Sequence, residues 1–294
     1  MADTTDRSLI SAAQLNRHKV TYRVVLTLVI VVFTLIFIGP LYFLFTDGLK
    51  STSEAVQVPP TIVPAHVHPG TYASAWSRVG IGRLLVNTLY YAFGALAFQL
   101  VFDVAAAYSL SRLRPVLGNL IFALMLATLM IPATVLVVPQ YVTVSDLPLL
   151  HLNLIGSPEA IWLPSVANAF NIFLLKRFFD SIPAELLAAA AIDGASPLRT
   201  LRSVVLPISR PIIGVVSIFA LVAVWKDFLW PLLVEYGYNP NRETLNVGIF
   251  EAASTTPQNL VLAASAMAAV PTLVFFLFFQ RNILSGLTAG SLKG

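Results

Sequence analysis

Three ionisable side chains, Asp103, Lys226 and Asp227, fall inside apolar runs of this 294-residue chain. Each charge there costs about 2.5–3.5 kcal/mol on insertion scales, so it needs a partner, water or a task. Proton or sodium relay is one such task, and pairing within a helix bundle or snorkelling to an interface is the plainer one. Asp103 lies nine residues before Arg112 and Lys226 sixteen after Arg210. At ~1.5 Å per residue those depths differ by about 10 Å, which disfavours a direct Asp103–Lys226 pair. Trp225 and Trp230 flank Lys226-Asp227, and Asn168 and Asn171 interrupt another apolar run. These six residues (Trp225, Lys226, Asp227, Trp230, Asn168, Asn171) are the candidate pathway. An indole face stacks on the C–H face of a pyranose, although tryptophan more often anchors a span at the interface.

Catalytic constellations are sparse. Gly48-Leu49-Lys50-Ser51 lacks the spaced glycine and the Gly-Lys-Ser/Thr run of a phosphate loop. His66 and His68 alternate in a Pro-rich stretch and read as a solvated loop, not as metal ligands. No catalytic, cofactor or metal residue is expected in this chain. Active transport would draw its energy from a partner or an ion gradient.

Composition sets the elements that must hold these residues. Apolar residues make up 57% and charged residues 11% of the chain, with mean hydropathy +0.81; soluble domains average about 25% charged. Six apolar runs stand out, at 24–45, 84–110, 116–138, 160–175, 212–234 and 260–279, and about 20 such residues cross a bilayer as a helix. The fourth is short and carries Pro164, Asn168 and Asn171, so its boundaries are the least defined. With the N-terminus inside, inner segments hold 13 Lys and Arg and outer segments 4. That bias predicts an all-α polytopic membrane protein with six transmembrane helices and both termini in the cytoplasm. The net charge of +4 then reflects topology and not nucleic-acid binding. The first run is too long for a signal-peptide core and has no close cleavage site. The expected layout is a cytoplasmic tail 1–23, a first span 24–45, an extracellular loop 46–83, a five-helix core 84–280 and a cytoplasmic tail 281–294. No cysteine is present to staple any of it.

Within that core, segment 177–210 is a cytoplasmic loop with a definite design. Ile182–Pro211 reads as two short helices around an Asp193-Gly194 turn. Pro183 suits a first helical turn, Ala188–Ala191 form a small-residue face, and Gly194 supplies a left-handed end. Ser196-Pro197 reads as an N-cap and first-turn proline, and Pro207 is expected to stop the second helix. A simple return to the membrane needs none of this.

Three stretches together resemble one family. The loop, with Ala189-Ala190, Ile192-Asp193-Gly194-Ala195-Ser196 and Leu206-Pro207, closely resembles the coupling loop, or EAA loop, of ABC-importer permeases. Trp225–Leu233 is similar to the Trp-Asn-Asp/Glu-Phe-x-Trp-Pro-Leu signature of carbohydrate-importer permeases. Gly286–Gly294 is similar to the Gly-x-x-x-Gly-x-x-Lys-Gly ending of the maltose-type second permease. The resemblance runs from about Leu41 to Gly294 and implies a type I ABC-importer permease fold in a bacterial or archaeal plasma membrane. It also implies partners: a second permease, an ATPase dimer carrying ATP and Mg, and an external solute-binding protein. By the same resemblance Glu185, Ala188, Ala189, Ala190, Asp193, Gly194, Ala195, Ser196, Leu206 and Pro207 couple to the ATPase. Two departures stand out. Ala188 replaces the family glutamate, for which Glu185, one turn earlier on the same helical face, is a substitute. Lys226 stands where the family has asparagine, which keeps open a charged solute such as a glycerophosphodiester or sugar acid. An ion-coupled secondary transporter and an integral membrane enzyme are the readings from other classes.

Overall fold

The computed structural model describes residues 19–289. The remainder of the N-terminal tail, with Arg7 and Arg17, and the last five residues, Gly290–Gly294, lie outside the described residues. The helices that position the site are α1 Lys19–Asp47, α2 Gly70–Val79, α3 Ile81–Tyr108, α4 Gly118–Thr128, α5 Ala133–Ser145, α6 Ala169–Ser181, α7 Ala184–Ile192, α8 Pro197–Ile208, α9 Arg210–Lys226, α10 Leu229–Val234, α11 Leu245–Ala252 and α12 Gln258–Ala289. A π-turn, Ser109–Leu113, extends α3, and another, Leu201–Val205, lies within α8.

Three of the described helices are long and apolar enough to cross a membrane, and the number rises to five if two bent pairs each count as one span. The third apolar run is one such pair, α4 and α5, bent by 108°. Met130, Ile131 and Pro132 make the break, since proline disfavours helical geometry in the residue before it. The fourth run is a short helix Glu159–Trp162, a 3₁₀ turn Leu163–Ser165, and then α6. The fifth is interrupted after Lys226 and resumes at Leu229. Continuous apolar patterning therefore conceals two breaks that depend on polar caps contributed by other elements.

The centre of the fold is α9, which packs on α3, α6 and α12. Three clusters of buried side chains fill the interior. One joins Ala75, Leu84, Trp225, Leu245 and Val261. A second, towards the 177–210 loop, joins Tyr108, Leu175, Phe179, Val205 and Val216. The third joins Tyr91, Ile161, Trp230 and Val234. Close approach is built in at Gly94, where a Cβ would collide with the Trp162 ring. The indole of Trp162 donates to the Tyr91 carbonyl at 3.1 Å, so α3 is keyed to the broken fourth run. Apart from its C-terminal end, where Phe43–Asp47 are partly buried, α1 is exposed along most of its length.

The candidate coupling loop and the interrupted helices

The loop begins where α6 ends. Ser111 Oγ donates to Asp180 at 2.6 Å, and Arg112 Nη2 donates to the carbonyls of Phe179 and Ile182. These bonds clamp the π-turn after α3 against the last turn of α6. Pro183, in extended geometry (φ −54°, ψ 135°), caps α7, which starts one residue later than a first-turn proline would place it. Glu185 occupies the first turn of α7, where its charge suits the helix dipole. It is exposed, as are Ala188 and Ala189, while Ala190 is buried. Asp193 ends the helix, and Gly194 holds φ +72° with no atom within 4 Å of a would-be Cβ.

Ser196 then caps α8, its hydroxyl accepting from the Arg199 N–H at 3.4 Å, with Pro197 in the first turn. The hydroxyl of Tyr108 donates to the Pro197 carbonyl at 2.9 Å, tying the end of α3 to the start of α8. Pro207 does not stop this helix. The widened π-turn Leu201–Val205 precedes it, and the helix continues through Ile208. A proline clashes with the carbonyl one turn back, and widening that turn relieves the clash. The chain turns instead at the buried Ser209, where α8 and α9 meet at 82°. The faces of α7 and α8 away from the bundle leave Ile192 86% and Leu198 73% exposed, flanking the Gly194 turn.

The second set of sequence-selected residues lies at the breaks. Asn168 caps α6, its side-chain oxygen accepting from the Asn171 N–H at 3.1 Å. The N–H of Asn168 donates to Asp103 Oδ1 at 2.9 Å. Asp103 is fully buried, with Gln99 and Asn171 also buried. Its partner is therefore the backbone of a broken helix and not a distant lysine. Buried backbone freed at a helix break must find a bond inside the protein, and Asp103 and Asn168 supply it here. At the other break, Asn246 Nδ2 donates to the carbonyls of Trp225 at 3.0 Å and Asp227 at 3.2 Å. Asp227 in turn accepts from the Trp230 N–H at 3.4 Å. Asn246 lies outside every apolar run, and sequence reading missed it; only its contact across about twenty residues exposes the role.

Trp225 and Trp230 are both buried. Trp225 meets Phe275 edge-on, with ring centroids 6.0 Å apart, and Trp230 donates its indole N–H to the Ala160 carbonyl at 2.9 Å. In this conformation both indoles lie within the packed interior, 6% and 9% exposed. Lys226 is exposed at the end of α9, beside a partly buried Asp227. The structure thus brings Asn168 and Asn171 together with Asp103, and groups Trp225, Asp227 and Trp230 around the second break.

Comparison with known proteins places this architecture. Residues 99–288 match the family described as the inner membrane component of binding-protein-dependent transport systems. An sn-glycerol-3-phosphate transport system permease, UgpE, of Rhizobium meliloti (strain 1021) is 30% identical over 271 residues, covering 88% of this chain and 94% of the relative. The melibiose/raffinose/stachyose import permease MelC of Bacillus subtilis (strain 168) is 30% identical over 257 residues, covering 87% and 91%. A crystal structure of a bacterial ABC transporter involved in import of the acidic polysaccharide alginate contains a chain with the same fold. Its TM-score is 0.77 at 21% identity, covering 93% of this chain and 99% of that one. The chain is a multi-pass membrane protein of the binding-protein-dependent transport system inner membrane component family, a transport subunit and not an enzyme.

Proposed function

We propose that this chain is one permease subunit of an ATP-driven ABC importer for a carbohydrate, forming half of the translocation pathway with a second permease. The observation that carries the reading is the α7–α8 loop. It exposes Ile192 and Leu198 at its tip, presents Ala188 and Ala189 on an open face, and is rigidly tied back through Tyr108 and Arg112. An apolar projection in an aqueous compartment needs cover, and an ATPase groove supplies it. ATP and Mg reside on that partner. Closure of an ATPase dimer would push this loop and switch the pathway, while an external binding protein delivers solute. Each partner acts by favouring one of the two states. Glu185 stands in for the carboxylate missing at Ala188.

Six crossings with both termini inside fit this reading, with the broken fourth run as one crossing. The layout is the one expected from sequence: tails at 1–23 and 281–294, a first span at 24–45, an outer loop at 46–83 and a core at 84–280. The decisive experiment is purification from the native membrane in mild detergent. A Walker-motif ATPase and a second permease should accompany the chain, and ATP hydrolysis should rise with solute-loaded binding protein. Recovery of the chain alone, with transport driven by an ion gradient, would overturn the assignment.

A second solute class has a specific observation behind it. Lys226 is exposed beside Asp227 at the end of α9, and a 30%-identical relative is named for sn-glycerol-3-phosphate transport, whereas the equally similar MelC is named for neutral oligosaccharides. Lys226→Met separates them. Loss of transport of an anionic solute, with neutral sugars unaffected, identifies the charged class, and unchanged transport and preference removes Lys226 from the pathway.

A further inference from the structure

We propose that a cleft beside the π-turn after α3 binds the phosphate group of an anionic phospholipid headgroup. The cleft holds about 540 Å³ and is lined by Ser111, Arg112, Arg114, Asn119, Lys176 and Asp180, among others. Its one acid is already engaged: Asp180 accepts from Ser111 at 2.6 Å and from Lys176 at 2.8 Å. Arg112 spends Nη2 on two backbone carbonyls, and its buried Nε has no partner. Arg114 makes one weak bond, Nε to the Ser111 carbonyl at 3.4 Å, and the rest of its guanidinium is uncommitted. Three cations against one carboxylate leave a surplus of two positive charges in one hollow.

The backbone adds to this. Arg114 sits at φ +48°, ending the π-turn with its N–H on the Ser109 carbonyl at 2.9 Å. The first turn of α4 begins at Gly118 with no side-chain cap; the Gly118 N–H is taken by the Pro115 carbonyl at 2.8 Å, and the positive dipole end with Asn119 lies at the same hollow. A phosphate oxygen is the acceptor that such donors fit.

The surroundings select a lipid as the source of that phosphate. Leu113, Val116, Leu117, Leu120 and Leu124 are all exposed, forming an apolar skirt along α4 next to the cleft. A soluble anion has no use for that skirt, whereas a phospholipid lays its acyl chains against it while its headgroup enters. Basic pockets at the cytoplasmic side of membrane helices hold anionic headgroups by this combination. The placement rests on the cytoplasmic topology proposed above. Ser111, Arg112 and Arg114 also line an adjoining cleft of about 390 Å³ with Leu187, Ala191 and Thr200. A bound headgroup would therefore stiffen the seat of the coupling loop.

The test uses the assembled importer in two bilayers, phosphatidylcholine alone and phosphatidylcholine with phosphatidylglycerol at roughly three to one. Native mass spectrometry should find phosphatidylglycerol retained by the wild type, with retention about fivefold lower in Arg114→Gln. Arg177→Gln, an exposed arginine that does not line the cleft, should retain it fully. Inorganic phosphate added to the phosphatidylcholine sample should give no thermal protection. Equal retention in wild type and Arg114→Gln overturns the site, and protection by inorganic phosphate matching phosphatidylglycerol overturns the lipid assignment. Asn119→Cys should be labelled only from the cytoplasm. Labelling only from outside would reject the topology independently of whether lipid is retained.

Discussion

The two ends of the molecule invert the usual rule of burial. At the 177–210 loop, large apolar side chains such as Ile192 and Leu198 stand in the open. At the opposite end, charged residues are inside: Lys50 is 1%, Glu235 0% and Glu243 2% exposed. Lys50 pairs with Asp47 at 2.5 Å and donates to the Thr61 carbonyl at 2.6 Å. Asn259, on α12, donates to the Lys50 carbonyl at 3.1 Å and accepts from Thr52. Arg83 and Asn87 reach the Asn241–Glu243 segment. Around Lys50 and Asn259 the charged end is closed upon itself by bonds within one chain, although both carboxyl oxygens of the buried Glu235 lack a partner among the described residues, while the apolar end is unfinished. The contrast teaches where rigidity is supplied from within and where cover must come from outside.

The largest expected effect strikes the closed end. Lys50→Met leaves Asp47 without its cation and the Thr61 carbonyl without a donor. Removing one partner of a mostly buried pair costs roughly 3 kcal/mol, so the thermal midpoint of the isolated subunit should fall by several degrees. An unchanged midpoint would mean that the Lys50 clamp is decorative and the contrast false.

The unfinished end should respond in the opposite way. Gly194→Val meets no neighbouring atom, yet forces a β-branched residue to φ +72°, about 1–2 kcal/mol of local strain. Subunit stability should fall by no more than that strain, less than in Lys50→Met, whereas solute-stimulated ATP hydrolysis by the complex should collapse. Normal coupling in this variant would reduce the loop to a tolerant turn.

A smaller effect follows from pH at the closed end. Burial, reinforced by the neighbouring Glu251 carboxyl, raises Glu243 to about 7 from its ordinary 4.5. The folded state therefore binds the proton more tightly than the unfolded chain. Its contribution is complete below about 4.5 and is lost as pH rises through about 7. The thermal midpoint should decline between those limits, and Glu243→Gln should flatten the decline. Stability rising with pH across that window in the wild type, and insensitive to the substitution, would reject the assignment.

The smallest expected effect is at Glu185. An exposed ion pair contributes under about 1 kcal/mol, so Glu185→Gln should weaken ATPase association only modestly unless docking buries it. A double-mutant cycle with a basic residue of the ATPase should give a nonzero coupling energy. Zero would return Glu185 to the ordinary solvated residues of a helix.

Local signals carried much of this fold. The Asp193-Gly194 turn, the Ser196-Pro197 helix start and the helical class follow from short-range backbone preferences, which residue type reports directly. The interruptions did not follow, because hydropathy averages over them. Nothing local signals that the carboxylate at Asp103 seals the start of α6, sixty-five residues away, or that Asn246 seals the end of α9. Pro207 misleads for a related reason. Its cost depends on the width of the preceding turn, and the π-turn at Leu201–Val205 has no residue-level signature. The tryptophans of the Trp225–Leu233 stretch advertise aromatic chemistry, while their packing against Phe275 and Ala160 is settled only in three dimensions.

The corner at Ser209 has a mechanical meaning. Two stiff arms joined at 82° form a bell crank: a thrust along one becomes a sideways swing of the other. The twelve residues of α8 give an arm of about 18 Å, and the seventeen of α9 an arm of about 25 Å. If the crank turned rigidly about Ser209, a displacement applied at the Pro197 end would reappear enlarged by about four-tenths at the Lys226 end. In the proposed coupling, the longer arm would set the gearing.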